Sequence, residues 1–251
     1  MALTDNLISF WELEEASGAT RNDSHGTNHL TNTTAGGGSE VLQGTGKVGN
    51  CANLEQGTTD LFTRADNASL SAAGTDFTWC AWVNFESKPV TLAGIISKAG
   101  GSAAVMEYDV RWDAASDRFM LYVGGGIGYE NVVANNFGAP ALSTWYFVVA
   151  WVDTVGNTLN IQVNNGTADS ASFSDTIPDT TVQLQIGGAG VGPLYTWDGL
   201  IDQVGFWKRV LTSDERAFLY NAGAGRSYAA IVAGEGGGGN PFITQNEAIV
   251  I

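Results

Sequence analysis

Basic residues are scarce in this chain of 251 residues: 11 Lys and Arg stand against 26 Asp and Glu, a formal net charge of −15. So acidic a surface repels phosphate backbones and excludes nucleic acid as an expected partner. The acidity serves solubility, and some carboxylates are candidates to hold a hard cation such as Ca²⁺. Charged residues of both signs amount to only 15%, well under the usual quarter. Cysteine is almost missing, with Cys51 and Cys80 the two examples. Neither lies in a CxxC or metal-type spacing. They form no disulfide scaffold, and each reads as a buried thiol with pairing left open. No apolar run reaches membrane-spanning length, so no membrane insertion is expected. No Ser–His–Asp signature, nucleophile elbow or phosphate loop occurs; Gly124–Gly126 and Gly187–Gly188 lack the Lys-Ser/Thr that would follow. Met1 runs into ALTDNLISFWELEE without a basic n-region or apolar h-region. The expectation from that start is a chain made and assembled in the cytoplasm, or else a mature fragment.

Glycine and apolar residues are plentiful, at 33 glycines and 44% apolar. Residues 7–13 (LISFWEL) alternate as a first strand. A long polar loop follows, broken by Gly and Asn turns. Residues 46–55, 76–85, 94–98, 108–112, 119–123, 145–151, 159–163 and 182–186 read as further short strands rich in Val, Ile, Thr, Phe, Tyr and Trp. Spacing of about ten residues signals a sandwich or jelly roll. Residues 213–221 alone read as a helix, with Ser213 as N-cap. The predicted domain is 1–222. Residues 223–251 hold four consecutive glycines, then Pro241 and an apolar end, and read as a Gly-rich extension.

Within 198–221, DGLIDQVGFWKRVLTSDERAFLYN, the residues Gly199, Ile201, Asp202, Trp207, Leu211, Ser213, Glu215 and Tyr220 resemble the closing segment of laminin-G-like domains. Phe77, Thr78, Ala81, Trp82 and Val83, the strand at Trp145 and the run GKVGNCANLE are similar to other strands of that family. The resemblance covers roughly residues 7–222. It implies an all-β, antiparallel two-sheet jelly-roll sandwich of the concanavalin A-like (LamG) kind, with one short C-terminal helix and an extended tail. It implies a non-catalytic binding and display module. Such domains occur on phage surfaces, so the expected place is the virion surface, as a capsid decoration or fibre protein. The expected partners are a glycan or cell-surface polysaccharide, and a capsid protein or second copy of the chain docked through the tail, with Ala248–Ile251 as an added strand. A secreted bacterial lectin module and a jelly-roll glycoside hydrolase are the alternatives.

The resemblance also implies a Ca²⁺ where the first loop meets the last strand, held by Asp23, Gly26, Asn28 and Asp202. Asp23 otherwise reads as an Asx-turn residue and Asp202 as a partner of Arg209 or Lys208. His25 and His29 read as exposed loop histidines. For sugar binding, which needs aromatic faces and fixed polar groups, Tyr195 and Trp197 are the first choice and Asp109 with Trp112 the second. Trp112, Tyr122, Tyr129, Tyr195 and Trp197 are the candidate aromatics, while Trp82, Trp145, Trp151 and Trp207 are expected in the core. A hydrolase needs two carboxyls across the cleft. Glu107 and Asp109 are predicted on one strand face, but Arg111 stands where a third acid would be and is expected to lower their pKa values.

Overall fold

The computed structural model describes residues 1–34, 40–126, 128–190 and 195–236. In chain order the strands are β1 (Leu7–Trp11), β2 (Thr20–Arg21), β3 (Leu30–Thr34), β4 (Leu42–Thr45), β5 (Asn50–Leu54), β6 (Asp60–Arg64), β7 (Phe77–Phe85) and β8 (Leu92–Ala99). They continue as β9 (Met106–Asp113), β10 (Arg118–Gly124), β11 (Tyr129–Val133), β12 (Trp145–Asp153), β13 (Thr158–Val163), β14 (Asp169–Ser172), β15 (Leu184–Ile186) and β16 (Gly199–Trp207). One sheet has the order β14-β13-β12-β7-β16-β5-β4, with β1 also paired to β16. The other has the order β11-β10-β9-β8-β15-β6-β3-β2. The expected two-sheet antiparallel sandwich is the fold.

The layers follow from side-chain alternation. On β7, Phe77, Trp79, Ala81, Val83 and Phe85 face the second sheet and join the main core. There Trp79 stacks on Phe206 at 4.2 Å and on Trp11 at 6.1 Å. The intervening Cys80 and Trp82 point out of the sandwich yet are also buried, in a second cluster with Phe147, Val149, Trp151 and Trp207. A sheet buried on both faces needs apolar residues in both parities, which is why β7 and β12 read as continuous apolar runs. We call this the covered sheet. Cys51 and Cys80 are unpaired, and burial pushes both thiols up to about 12.

Its cover is helical. Helix α1 (Ser213–Tyr220) lays Leu219 and Tyr220 over the cluster, Tyr220 stacking on Trp82 at 5.7 Å. The N-cap is Thr212, not the expected Ser213: Thr212 Oγ1 accepts from the Glu215 amide, and the Glu215 carboxylate accepts from the Thr212 amide. This reciprocal box satisfies two otherwise orphaned donors. Glu215 also takes two hydrogen bonds from Arg209, each 2.7 Å, and Arg209 donates to the carbonyls of Ala2, Leu3 and Asp5. Burial alone would raise the Glu215 carboxyl, but the Arg209 and Thr212 bonds outweigh it and hold it below the usual range.

A second helix, α2 (Tyr228–Gly236), lies where an extended tail was expected. Ser227 Oγ accepts from the Ala230 amide at its start, and Ile231 is buried in the outer cluster of the covered sheet. Tyr228 packs on Phe10 and on His25, whose Nδ1 lies 2.8 Å from the Tyr228 hydroxyl. The extension therefore begins by folding back on its own sandwich. The run of glycines at 236–239 beyond its first residue and the predicted docking strand Ala248–Ile251 lie outside the described residues.

Candidate functional site

Among the described residues no helix covers the second sheet. On β9, Tyr108, Val110 and Trp112 enter the core, so Asp109 and Arg111 face outward. Register extends that outward row across the sheet. Asp109 lies opposite Tyr122 on β10 and Ser97 on β8; Ser97 lies opposite Gln185 on β15, and Gln185 opposite Thr63 on β6. A polar row thus crosses this open sheet at right angles to its strands.

The row is poorly satisfied. Ser97, Asp109 and Gln185 are 1%, 1% and 5% exposed, and Ser97 Oγ, Asp109 Oδ1 and Gln185 Oε1 have no hydrogen-bond partner among the described residues. Buried polar groups are ordinarily paired, so three adjacent unpartnered atoms set this row apart. Asp109 Oδ2 accepts from Arg111 at 3.1 Å, and Arg111 Nε is itself unpartnered. Burial pushes the Asp109 carboxyl up to about 6, and Arg111 offsets only part of that rise. The attraction expected from Arg111 is present, but desolvation exceeds it and reverses the net direction.

At the Asp109 end of the row is an open concavity of about 370 Å³, lined by Tyr122, Tyr129 and Tyr195 together with Asp109 and Arg111. The Arg111 guanidinium lies 3.7 Å from the Tyr122 ring centroid. The rim beside Tyr195 is sewn to β8: the Gly94 amide donates to the Tyr195 carbonyl at 3.0 Å, and the Gly187 amide to that of Ile95 at 2.9 Å. A Cβ on Gly94 would sit 2.3 Å from the Gly188 carbonyl carbon, so only glycine admits the loop at this point. The ladder between β8 and β9 shifts register there.

The site thus joins Tyr195 and Asp109 from the two expected sugar sites, and drops their tryptophans. Trp197 is 0% exposed, stacks on Phe85 at 4.0 Å and donates its Nε1 to the Asn84 carbonyl. Trp112 is likewise interior, edge-on to Phe85 with Nε1 bonded to Asp117. Both are core residues. Glu107 does not share a face with Asp109. A second register shift on β9 turns it toward Lys98, Thr180 and the Ala72 amide, outside the concavity. Arg111 is the lining residue that sequence reasoning passed over as a binding group, and the apolar–polar alternation of β9 was the available signal for it; Ser97 and Gln185 extend the polar row but do not line the concavity.

The expected calcium set does not fit. Asp23 accepts from the amides of Phe10, His25, Gly26 and Asn28, an array of positive N–H dipoles where a cation would need oxygen ligands. The Asn28 amide group donates to Ser9 and Ser69. Asp202 lies apart from this turn, accepting from the Val48 amide beside Glu14, and burial pushes its carboxyl up to about 7. Its predicted partners go elsewhere, Arg209 to Glu215 and Lys208 to the Ala68 carbonyl. Among the described residues no group of three or more His, Cys, Asp or Glu side chains is placed to hold a metal ion.

A laminin G family model, described as the concanavalin A-like lectin/glucanases superfamily, matches residues 56–215. No curated protein matches the sequence. Among solved structures, domain 4 of AbnA, a GH43 extracellular arabinanase from Geobacillus stearothermophilus, in complex with arabinotriose, is similar with a TM-score of 0.65 and 15% identity, over 88% of this chain and 98% of that one. The binding domain of Paraclostridial Mosquitocidal Protein 1 gives 0.67 and 16%, over 88% of this chain and 53% of its own. The binding domain of Botulinum Neurotoxin DC in complex with SialylT gives 0.57 and 11%, over 88% and 52%. The chain thus spans nearly all of the arabinanase domain and about half of each toxin domain. At these identities the likeness is one of fold.

Proposed function

The chain belongs to the concanavalin A-like lectin/glucanases superfamily, and from that premise we propose that it is a non-catalytic glycan-binding module whose binding face is the outer face of the open sheet. One observation carries the reading: Asp109 and Arg111, each with a polar atom unpartnered among the described residues, line a concavity together with Tyr122, Tyr129 and Tyr195. Fixed polar groups on the floor and aromatic rings at the sides are what sugar hydroxyls and sugar faces require. The arabinanase domain and the neurotoxin domain, each solved with a saccharide, support it as analogy of fold. Hydrolysis fits less well, because a glycosidase needs two carboxyls flanking the bond. Asp109 is the one carboxylate among the concavity's described lining residues.

The test is a glycan array followed by calorimetry, with malto-, cello-, xylo- and arabino-oligosaccharides, oligogalacturonides and a sialylated lactose. At least one should bind, and Asp109→Ala should weaken that binding about tenfold or more while the circular dichroism spectrum is retained. Binding equal to wild type in Asp109→Ala, or turnover of any member of the panel, would overturn the reading.

The finer proposal is display on a particle, a phage virion surface, with residues 237–251 as the docking segment. Its support is composition: those residues hold glycines, Pro241 and an apolar end. Deletion of 237–251 should abolish incorporation into particles and spare sugar binding; full incorporation of the truncated chain would refute it.

A further inference from the structure

Resting on the glycan-binding reading, the geometry points to a narrower ligand class: a neutral oligosaccharide held by at least two of its rings, one on Tyr129 and one on Tyr195, with hydroxyls between them read by Asp109 and Arg111.

The three tyrosines are not equivalent. One face of Tyr122 is already covered by the Arg111 guanidinium, 3.7 Å from its centroid. Tyr122 therefore acts as a positioning residue that holds Arg111 against Asp109. Tyr129 is 51% exposed, unusual for so large a ring. Its lateral neighbour on β10 is Gly124, which has no side chain to screen it. That glycine is required for another reason, since a Cβ there would meet the Ala103 carbonyl oxygen at 2.1 Å. Tyr195 is held by its backbone: its carbonyl accepts from the Gly94 amide, and Gly190, with no side chain, leaves the ring uncrowded.

These two platforms flank the charged pair. Tyr129 is on β11, two strands from β9, and Tyr195 lies beyond β8 on the other side. Their backbones are separated by four strand spacings, about 19 Å at roughly 4.8 Å each. Register places Tyr129 beyond the Tyr122–Asp109 level, whereas Tyr195 meets Gly94, which lies opposite Arg111. The cleft therefore runs diagonally from Tyr129, over Asp109 and Arg111, to Tyr195. A single ring stacked at one end leaves the other platform bare.

The pair between them selects for neutrality. Asp109 and Arg111 already neutralise each other at 3.1 Å. Among the described residues the unpartnered atoms are an acceptor, Asp109 Oδ1, and a donor, Arg111 Nε, both buried. A carboxylate on the ligand could accept from Arg111 Nε but would lie beside the Asp109 carboxylate, which repels it, and would leave Asp109 Oδ1 without a donor. A hydroxyl both donates and accepts and can satisfy them together; a carboxylate only accepts. The chain's net charge of −15 adds long-range repulsion of anionic ligands.

The experiment is calorimetric titration of the intact chain with mono-, di-, tri- and hexasaccharides of whichever malto-, cello-, xylo- or arabino-series binds, and with oligogalacturonides of matched length. Affinity should rise about tenfold or more from mono- to trisaccharide. Tyr129→Ala and Tyr195→Ala should each erase that rise while the thermal midpoint stays close to wild type. Oligogalacturonides should bind about tenfold more weakly than neutral chains of equal length. A monosaccharide as tight as the trisaccharide, tyrosine variants that keep the full rise, or stronger binding of the acidic series each overturn this inference while leaving the glycan-binding reading intact. Absence of binding by every sugar overturns both.

Discussion

The two sheets of this sandwich share an inner core and differ in what covers their outer faces. Outside the covered sheet, Trp82, Phe147, Trp151 and Trp207 are sealed by α1, α2 and the first residues of the chain. Every large side chain there has apolar neighbours, and the tryptophan N–H of Trp207 is bonded to the Leu3 carbonyl. Outside the open sheet, Ser97, Asp109, Gln185 and Arg111 have polar atoms unpartnered among the described residues, and Asp109 and Arg111 share a concavity with the exposed Tyr129. One face is largely sealed by apolar packing and contributes stability, although Asp202 on β16 keeps Oδ1 unpartnered among the described residues. The other combines unpartnered polar atoms with an open concavity, and the proposed function rests on that difference.

The largest effect expected from that contrast is on the sealed face. Trp82→Ala should lower unfolding free energy by about 3–5 kcal/mol, since Trp82 is 2% exposed and packs on Phe147 and Tyr220. Urea denaturation reads this, and sugar affinity of the folded fraction should not change. A smaller effect of opposite sign is expected across the sandwich. The Asp109 carboxyl is raised from 3.8 to about 6 by burial, so its ionisation opposes folding, and stability contributed at this site falls as pH rises from about 4 to about 6. Asp109→Asn should therefore stabilise the protein by about 1–3 kcal/mol at pH 7.5, with the gain vanishing near pH 4, while weakening binding. Denaturation midpoints at the two pH values decide it; a loss of stability at pH 7.5 would mean that Asp109 serves structure. Thr212→Ala should remove the cap of α1 and cost about 1 kcal/mol, visible as a lower thermal midpoint with binding intact. Tyr129→Ala should be the least consequential for folding, within about 0.5 kcal/mol, and an unfolded Tyr129→Ala protein would erase the distinction between the faces.

Much of the sandwich was legible because its strands alternate. The parity of β9 is plain in YDVRWD, whereas β7 shows only its strand character, as an apolar run buried on both faces. Parity also explains one error. Asp109 and Trp112 are three residues apart, an odd separation that sends them to opposite faces of a strand. The misplacement of Trp197 has a different origin. Tyr195 and Trp197 are two apart, and would share a face on a regular strand, but they lie in a loop before β16, where the Trp197 amide bonds the Gly187 carbonyl and the ring turns under Phe85. No periodicity governs a loop held by such a long-range contact. Ser97 and Gln185 were hidden for a third reason: each looks like an unremarkable polar residue, and only the register between β8 and β15 makes them neighbours. Helix α2 was masked by composition, since the glycines after it dilute the YAAIVA run that Ser227 caps.

The hold of Arg209 on the carbonyls of Ala2, Leu3 and Asp5 fixes where the chain's beginning lies, and Ile231 does the same for its last described helix. Both anchor on one side of the molecule, behind the covered sheet. A tether leaving from the first residues or from the end of α2 would therefore start at the rear, presenting Tyr129 and Tyr195 outward like the palm of an extended hand.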